Sequence, residues 1–539
     1  MRTKNPILIL LCTILLTGFS RSQEKPRLVV GIVVDQMRYD YLYKFRAYYG
    51  SDGFNRLVDG GSNFTYAHFN YLPTNTAPGH ASIFTGSIPY YHGIIQNDWY
   101  DRQLGKMIYC TRDTTRKSVG SSDGEGQMSP VRLSSTTITD QLKLSTNGAS
   151  KVIAVSLKDR AAVLPGGHFP DGAYWYDNQT GDFISSSYYI KILPKWADDF
   201  NKRKLADKYL AGKWSLSRPL KDYEVSGPDE SKFERDLFKE GKTSFPHSFD
   251  NIKGKARYAI FENTPFGNQI VEEFVKAAIV NEKLGKGGQT DFLTVSFSST
   301  DFVGHEFGTR SYETEDVYIK LDSLLADLLS ALDRQVGKGN YLLFLSADHG
   351  ALETPAYLKE INLPSGGLDK NAADSIKAFA TRKFGSNKLI MNFSNGQIFL
   401  NRDLIRDKNL DIHLIERSVA DYMRDSFPEI TSIFTRDDLE DKSPEREPVN
   451  AILNGFNPVL SGDIAFRLQP GFLPRIYEKG TTHGTSYPYD THVPLIFYGW
   501  HVPKRTVNTP VFIVDIAATL ADLLKIQEPS ACIGIPLIK

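Results

Sequence analysis

The chain has 539 residues, of which 41% are hydrophobic and 23% charged. This composition is that of a globular protein and excludes a disordered, collagenous or membrane-embedded chain. At this length one large elaborated domain or two to three units are expected. Lys plus Arg and Asp plus Glu number 63 each, so no net field draws the chain to nucleic acid or to an anionic membrane, and any anion-binding site must be local.

The N-terminus has the layout of a secretory signal. Arg2 and Lys4 precede an apolar run at 6–19, and small residues follow it. The run is shorter than the roughly 20 residues that a membrane span needs. We therefore predict a signal peptide at 1–22, a mature protein that starts near Gln23 without a membrane anchor, and export to the periplasm or the extracellular space.

Two cysteines remain once this segment is removed, Cys110 and Cys532. In an oxidising compartment they could pair, or each could be buried singly. The sequence leaves both possibilities open, and it leaves the oligomeric state open as well.

Five short apolar runs are rich in β-branched and aromatic residues, as is typical of strands buried on both faces of a parallel sheet. Helical patterns fall between them, and this alternation predicts a three-layer α/β/α sandwich with a mostly parallel central sheet. Ligands bind beyond the carboxyl ends of such strands, where polar residues follow the first four runs. The runs are 28–34, 152–155, 291–297, 341–345 and 493–498, and the helical patterns are 270–281, 314–332 and 513–524.

Two long regions interrupt the alternation. Residues 161–257 and 352–474 contain aromatic, Gly, Pro and charged residues without a clear period. Unstructured connections beyond about 15 residues are uncommon in compact domains. We interpret both regions as cap insertions in one catalytic domain at 23–539.

Acidic residues and histidines supply candidate metal ligands. Asp301 and His305 would share one face of a helical turn, although this spacing alone is more typical of a surface ion pair. A carboxylate and an imidazole follow a buried strand at 348 and 349, where both are costly unless something pairs with them. A mixed set of this kind suits zinc, and six ligands predict two ions, which in such sites lie about 3.5 to 4 Å apart. The set is Asp35, Asp301, His305, Asp348, His349 and His483.

Thr76 is the candidate nucleophile. Pro78 suits the first turn of a helix that continues to Phe84, so Thr76 would lie beside a helix N-terminus that favours an anion. A hydroxyl needs a metal or a base to become a good nucleophile. On this segment alone, Thr76 could equally be a helix cap.

Several separated segments together resemble the alkaline phosphatase superfamily, and most closely its PafA-type branch of secreted monoesterases. They occur in the family's order from the first strand almost to the C-terminus. The segments are VVDQMRYDYL, PTNTAPGHASIFTG, YHGIIQNDW, SLKDRAAV, STDFVGHEFG, SADHGA and THGTSYPYDTHVPLIFYGW.

The resemblance implies a role for each candidate residue. One zinc would be held by Asp35, Asp348 and His349 with the Thr76 oxygen as its fourth ligand, and a second zinc by Asp301, His305 and His483. Asn97, Lys158 and Arg160 would contact the phosphoryl oxygens. Residues two apart on an extended segment project to the same side, and Arg offers a planar fork for phosphate, which makes the last two assignments physically reasonable.

The resemblance implies hydrolysis of small-molecule phosphate monoesters through a phosphothreonine at Thr76. A phosphodiesterase or nucleotide pyrophosphatase of the same superfamily is the nearest alternative. Lys158 and Arg160 favour the monoesterase, because a monoester carries one more negatively charged oxygen than a diester.

Other functions are disfavoured. A sulfatase would need cysteine or serine where Thr76 stands, and a phosphoglycerate mutase would not carry an export signal. A noncatalytic metal- or phosphate-binding protein on the same fold should have lost reactive groups that are present here.

Overall fold

The computed structural model describes residues 25–446 and 450–538. The predicted signal peptide at 1–22 lies outside the described residues. Within the described ranges, no helix is both long enough and apolar enough to cross a membrane.

A ten-stranded sheet forms the centre of the molecule. Its strands lie in the order β10-β2-β9-β8-β1-β7-β4-β5-β6-β3. They are β1 Leu28–Val34, β2 Ser62–Phe64, β3 Ser118–Val119, β4 Val152–Ser156, β5 Gly172–Asp177, β6 Asp182–Ser186, β7 Asp291–Phe297, β8 Tyr341–Ser346, β9 Leu495–Gly499 and β10 Arg505–Val507.

The middle of this sheet is a parallel block of five strands, β8-β1-β7-β4-β5. Four of the five predicted runs form strands of this block, and β1, β7 and β8 are buried along their whole length. The fifth run forms β9, which pairs antiparallel to β8. Because β8, β1, β7 and β4 are neighbours, the polar residues that follow them meet at one edge of the sheet.

Helices cover both faces of the sheet, which confirms the predicted α/β/α sandwich. Helices α3, α4 and α5 pack on one another in one layer, and α1, α2 and α6 pack together in the other. The six are α1 Thr76–Thr85, α2 Arg160–Gly166, α3 Pro265–Asn281, α4 Ser299–Phe307, α5 Tyr312–Leu332 and α6 Asp515–Leu524.

Shorter elements connect these layers. The helices are Tyr41–Lys44, Arg46–Tyr48, Phe54–Gly60, Pro89–His92, Ile138–Ser145, Lys195–Asn201, Leu205–Leu210, Leu220–Asp222, Ala256–Phe261, Asp333–Gly337, Pro355–Glu360 and Pro488–Thr491. The strands are Ala67–His68, Asp98–Asp101, Lys106–Tyr109, Lys213–Trp214, His247–Ser248, Gly366–Gly367, Phe472–Leu473, His492–Val493 and Val511–Phe512.

The two irregular regions differ in structure. Within 161–257, β5 and β6 extend the main sheet itself, so this part of the region is not a cap. The second region contains a separate four-stranded antiparallel sheet with a hydrophobic core of its own. We call residues 368–446 and 450–468 the cap module, and its assignment as an insertion over the site stays a prediction.

The cap module is built from four strands and five helices. The strands are Ile390–Ser394, Gln397–Leu400, Ile430–Thr435 and Ile464–Leu468. The helices are Ala372–Phe384, Arg402–Asp407, Ile412–Ser426, Arg436–Glu440 and Ala451–Gly455.

The two cysteines form no disulfide. Cys110 is buried in a small apolar cluster, and Cys532 is partly buried near the C-terminus. Neither is required to hold the sheet together.

Gly79 lets α1 approach the edge of the sheet. A Cβ at this position would lie 2.3 Å from the carbonyl oxygen of Asp348, a distance at which something must shift. The contact is with backbone, which cannot rotate away as a side chain can. Glycine is therefore required for the start of α1 to pack directly against the end of β8.

We expect Gly79→Ala to lower the free energy of unfolding by about 1 to 3 kcal/mol, since overpacking of a well-packed contact costs this much. Urea titration of the substituted and parent proteins measures it. Gly288→Ala is the matched control, because a Cβ at Gly288 would meet nothing within 4 Å. Equal midpoints for all three proteins would contradict the close packing at Gly79.

Candidate active site

Thr76 is the first residue of α1. The N-cap position belongs to Asn75, so Thr76 does not cap the helix. Asn97 serves the helix end instead, because its Oδ1 accepts a hydrogen bond from the Ala77 amide at 2.8 Å. The Thr76 Oγ1 lies 3.5 Å from the guanidinium Nη2 of Arg160. The hydroxyl is thus held at a helix N-terminus beside a cation, which is an environment that favours an anion.

Asp35, Asp348 and His349 form a buried group beyond β1 and β8. The Nε2 of His349 lies 3.5 Å from Asp35 Oδ1 and 3.6 Å from Asp348 Oδ2. These three atoms are buried and have no hydrogen-bond partner. His80 Nδ1 approaches Asp348 Oδ2 to 3.3 Å, but it bonds the carbonyl oxygen of Thr76 at 2.9 Å. Buried polar atoms without a partner cost free energy, so this group is suited to bind a cation.

Asp301, His305 and His483 lie next to the first group, and we call them the second group. The ligand atoms of Asp301 and His483 come within 4.8 Å of one another and of His349, whereas His305 is not part of that cluster. Asp301 and His305 lie on α4, and His305 Nε2 is 3.1 Å from Asp301 Oδ1. His483 Nε2 is 3.6 Å from the same oxygen. The rings of His483 and His349 stack with their centroids 3.5 Å apart, so the two groups are in direct contact.

All three histidines present the same ring nitrogen to the site. Each Nδ1 donates to a backbone carbonyl oxygen and therefore carries a proton, which turns Nε2 toward the site, as in metal-ligating histidines. Burial opposes protonation of His305, but Asp301 outweighs it and raises the pKa of that imidazole. Burial lowers the pKa of both His349 and His483, which keeps these two imidazoles neutral at neutral pH. The bonds run from His305 to Thr481 at 2.9 Å, from His349 to Gly350 at 3.0 Å and from His483 to Thr74 at 2.8 Å.

The Lys158 ammonium lies between the carboxylates of the two groups. Its Nζ is 2.7 Å from Asp35 Oδ2 and 2.5 Å from Asp301 Oδ2. The lysine is buried, yet these carboxylates outweigh the effect of burial and raise its pKa, so it stays charged. Lys158 therefore bridges the two groups directly instead of pointing away from them toward a phosphoryl site.

Burial and neighbouring charges shift the pKa values of Asp35 and Asp301 in opposite directions. Burial raises the pKa of Asp35 well above its usual range, and the negative charge of Asp348 adds to this. Burial also opposes ionisation of Asp301, but His305 and Lys158 outweigh it and hold the pKa of that carboxyl well below its usual range. Strongly shifted carboxyl pKa values of this kind are typical of functional sites.

Arg160 is positioned by a short hydrogen-bonded chain. Its Nη1 donates to the Tyr109 hydroxyl at 3.0 Å, and this hydroxyl donates to Asp159 at 2.8 Å. The second oxygen of Asp159 accepts a bond from Thr111 at 2.5 Å. The guanidinium is thereby held with Nη2 toward Thr76.

Lys158 and Arg160 do not lie on an extended segment. β4 ends at Ser156, Lys158 follows in a bend, and Arg160 begins α2. The same-side argument for these two residues applied to an extended segment, and it does not hold here because the strand turns into a helix within four residues. Both side chains nevertheless reach the site, from the turn rather than from one side of a strand.

Sequence reasoning missed Gln36, which connects the two groups. Gln36 has a φ of 62° and follows Asp35 directly. Its backbone amide donates to Asp348 Oδ1 at 3.1 Å, and its side-chain amide donates to Asp301 Oδ1 at 2.6 Å. Its position next to a candidate ligand was the available signal, but only the fold shows which carboxylates it reaches.

His80 is the second residue that sequence reasoning missed. It is fully buried, and its Nε2 bonds the Ser296 hydroxyl at 2.9 Å. Its Nδ1 bonds the Thr76 carbonyl, so the two ring nitrogens together connect the first turn of α1 to β7. His80 therefore positions the segment that carries the candidate nucleophile.

The ten predicted site residues converge at one edge of the sheet, and they include two candidate clusters of metal ligands that share His349. Three unpartnered buried atoms meet in the first group, and the neutral imidazoles of His349 and His483 lie beside the ionised carboxylates of Asp301 and Asp348. These are the protonation states in which such side chains bind metal. The individual ligand assignments stay predictions.

Comparison with known proteins identifies the family. Residues 29–439 match the model of the type I phosphodiesterase / nucleotide pyrophosphatase family. The chain is 42% identical to the alkaline phosphatase PafA of Elizabethkingia meningoseptica, over 95% of this chain and 94% of the relative. It is 45% identical to the alkaline phosphatase PhoV of Synechococcus elongatus, over 96% of this chain and 93% of the relative.

Solved structures agree with this relationship. The crystal structure of PafA superposes with a TM-score of 0.91 at 42% identity and covers 95% of this chain and 98% of that one. A PafA variant in which a threonine, an asparagine, a lysine and an arginine are substituted matches equally well, with a TM-score of 0.91. The chain therefore belongs to the type I phosphodiesterase / nucleotide pyrophosphatase family of the alkaline phosphatase superfamily, and within it to the PafA-type alkaline phosphatases.

Proposed function

We propose that this protein hydrolyses phosphate monoesters at a two-zinc site through a phosphothreonine at Thr76. The observation that carries the proposal is the position of Thr76 at a helix N-terminus. The residues that flank Thr76 contact both the first and the second group of carboxylates and imidazoles. The carbonyl of Thr74 accepts from His483, and His80 lies beside Asp348. A hydroxyl in this position can attack a phosphoryl group that is bound between the first and the second group of carboxylates and imidazoles.

The first zinc would be held by Asp35, Asp348 and His349, and the second by Asp301, His305 and His483. When bound, the ions would supply positive charge that favours the Thr76 alkoxide and the departing oxygen. The similarity to PafA and PhoV, both named alkaline phosphatases, supports this chemistry.

The chain's own residues perform the displacement in two steps. The Thr76 Oγ1 forms a bond to phosphorus, the bond from phosphorus to the ester oxygen breaks, and the alcohol leaves with a proton. Water then attacks the phosphothreonine, the bond to Thr76 breaks, and inorganic phosphate leaves. The Thr76 hydroxyl is restored, so the cycle closes.

Asn97 and Arg160 are suited to hold the phosphoryl oxygens. The Oδ1 of Asn97 is occupied by the Ala77 amide, which leaves its Nδ2 hydrogens as donors for a ligand. Arg160 keeps Nη2 beside Thr76 while Nη1 is fixed by Tyr109. An amide and a planar guanidinium at these positions would neutralise charge that develops in the transition state.

Lys158 would take part once metal ions replace it between the carboxylates. Its ammonium neutralises Asp35 and Asp301 in the structure, a task that two divalent cations would take over. The freed ammonium would then lie near the phosphoryl group. The PafA variant with substituted threonine, asparagine, lysine and arginine involves the same four residue types in the same order as Thr76, Asn97, Lys158 and Arg160.

A phosphodiesterase is the second candidate function, because the matching family model carries that description. Lys158 and Arg160 favour the monoesterase. A diester lacks the additional anionic oxygen that these two cations would balance.

Thr76→Ala is expected to abolish phosphate monoester turnover, and Thr76→Ser to retain a measurable part of it, because serine keeps the nucleophilic oxygen. Steady-state rates on an aryl phosphate, with metal content measured in parallel, check this. Mass spectrometry of acid-quenched protein should find phosphate on Thr76 in the parent. Full turnover by Thr76→Ala with intact metal content would sink the nucleophile assignment.

The zinc-loaded protein is expected to hold two ions per chain, and His483→Ala about one, since removal of one ligand weakens the second group selectively. Elemental analysis after dialysis counts the ions. His501→Ala, which changes an exposed histidine outside the site, is the control and should keep both. A His483→Ala protein that still binds two ions as tightly as the parent would contradict the assignment.

Arg160→Ala is expected to lower kcat/KM for an aryl phosphate monoester by about 100-fold, the usual loss when one charge-stabilising donor is removed. For the matching diester the loss should be under about tenfold, because that substrate carries less charge for Arg160 to balance. Rates of both esters on one zinc-loaded sample measure the ratio. Equal losses, or a parent enzyme that prefers the diester, would favour the phosphodiesterase.

A further inference from the structure

A cavity of about 380 Å³ separates the cap module from the segments around Thr76. On the side of the sheet it is lined by Pro73, Asn75, Gln96 and His483. On the other side it is lined by cap-module residues and by the strand Phe472–Leu473 that follows the module. Its volume falls within the range of small-molecule sites, and Asn75, one of its lining residues, directly precedes the candidate nucleophile.

The wall opposite the nucleophile is apolar and aromatic. Phe393 and Phe466 pack with ring centroids 5.6 Å apart, and Phe472 and Leu368 continue the wall. Phe393 and Phe472 are only partly buried, so their ring surfaces remain available to a ligand. Aromatic rings of this kind favour a planar apolar partner.

The cavity opens next to the phosphoryl site. Asn75 immediately precedes Thr76, and His483 belongs to the second carboxylate and imidazole group. In the proposed reaction the ester oxygen departs on the side opposite Thr76, where the second group would hold its metal ion. Because His483 belongs to the second group and also lines the cavity, a group bonded to an oxygen held at the second group can reach the cavity past His483.

The aromatic wall is anchored to the sheet domain. Asn395 and Gly396 form the tip of the hairpin that carries Phe393, and both have positive φ, at 56° and 70°. The Asn395 side-chain amide donates to the carbonyl oxygen of Asp98 at 2.7 Å, one residue after Asn97. The wall is thus held at a fixed distance from a proposed phosphoryl contact, as a preformed site requires.

The charges around the cavity disfavour a cationic ligand. None of the described residues that line it is acidic, and Arg467 lines it as well. Arg467 donates to the Ser432 hydroxyl at 3.2 Å and lies over the Tyr487 ring, but its Nε has no hydrogen-bond partner and no carboxylate of the described residues pairs with it. The lining therefore disfavours a cation and accepts a neutral or an anionic ligand.

We propose that this cavity binds the alcohol part of the ester, and that the preferred substrates are phosphate monoesters of planar aromatic alcohols that carry no positive charge. The inference rests on the proposed function and adds to it the class of leaving group. Phe393 and Phe472 are its specificity-determining residues, because they offer ring surface to the alcohol without contact to the phosphoryl group.

The test compares two phosphonates that the enzyme cannot cleave as esters, naphthylmethylphosphonate and methylphosphonate, by calorimetry on zinc-loaded full-length protein. The parent should bind the naphthyl compound at least about tenfold more tightly, because ring burial adds to phosphonate binding. Phe472→Ala and Phe393→Ala should each reduce this ratio to below about threefold, with methylphosphonate affinity unchanged within about twofold. The two variants are independent, so one that fails to fold leaves the other as the test.

Phe379→Ala is the matched control, since Phe379 is a partly buried phenylalanine of the cap module that stacks on Tyr422 away from the cavity. It should keep the full ratio. A ratio near one in the parent, or an unchanged ratio in the folded cavity variants, overturns the assignment of the cavity alone. Absence of methylphosphonate binding, or of methyl phosphate and naphthyl phosphate hydrolysis by the parent, would instead count against the proposed function on which it rests.

Discussion

Three aspartates are buried together at the carboxyl edge of the parallel strands, and the surrounding structure compensates their charge. Asp35, Asp301 and Asp348 are almost completely inaccessible to solvent, and buried carboxylates are tolerated only when paired. Lys158 supplies a single positive charge between two of them. His305 pairs with Asp301, whereas the neighbouring imidazoles of His349 and His483 are neutral and cannot balance the remaining negative charge. Two divalent cations would balance this negative charge, and the candidate ligand atoms are already oriented to bind them.

The scaffold brings these carboxylates together by ordinary strand and helix geometry. Adjacent parallel strands deliver Asp35, Asp301 and Asp348 to one edge, and Gly79 lets the start of α1 pack against the backbone there. Backbone carbonyl groups fix the three histidine tautomers, and Gln36 ties the two groups together. The helix N-terminus at Thr76 is therefore positioned by the same contacts that order the metal ligands.

The predictable part of the fold was the part with strong local patterns. The runs at Leu28–Val34 and Asp291–Phe297 are strands with the predicted bounds, because continuous burial on both faces leaves a continuous apolar run. The family resemblance named the ten site residues, and all ten lie at one edge of the sheet. The antiparallel direction of β9 and the bend at Lys158 were not predictable, because pairing and turns depend on distant partners. Strands β5 and β6 were missed because their aromatic residues and the adjacent turn carry no regular period.

The proposed function requires two metal ions in the buried carboxylate and imidazole groups. Anomalous diffraction from crystals of the zinc-loaded protein, recorded on both sides of the zinc absorption edge, tests it most directly. We expect two anomalous peaks, one among Asp35, Asp348 and His349 and one among Asp301, His305 and His483, with the Lys158 ammonium displaced from between the carboxylates. A single peak, or none, with Lys158 still bridging Asp35 and Asp301 would contradict the account.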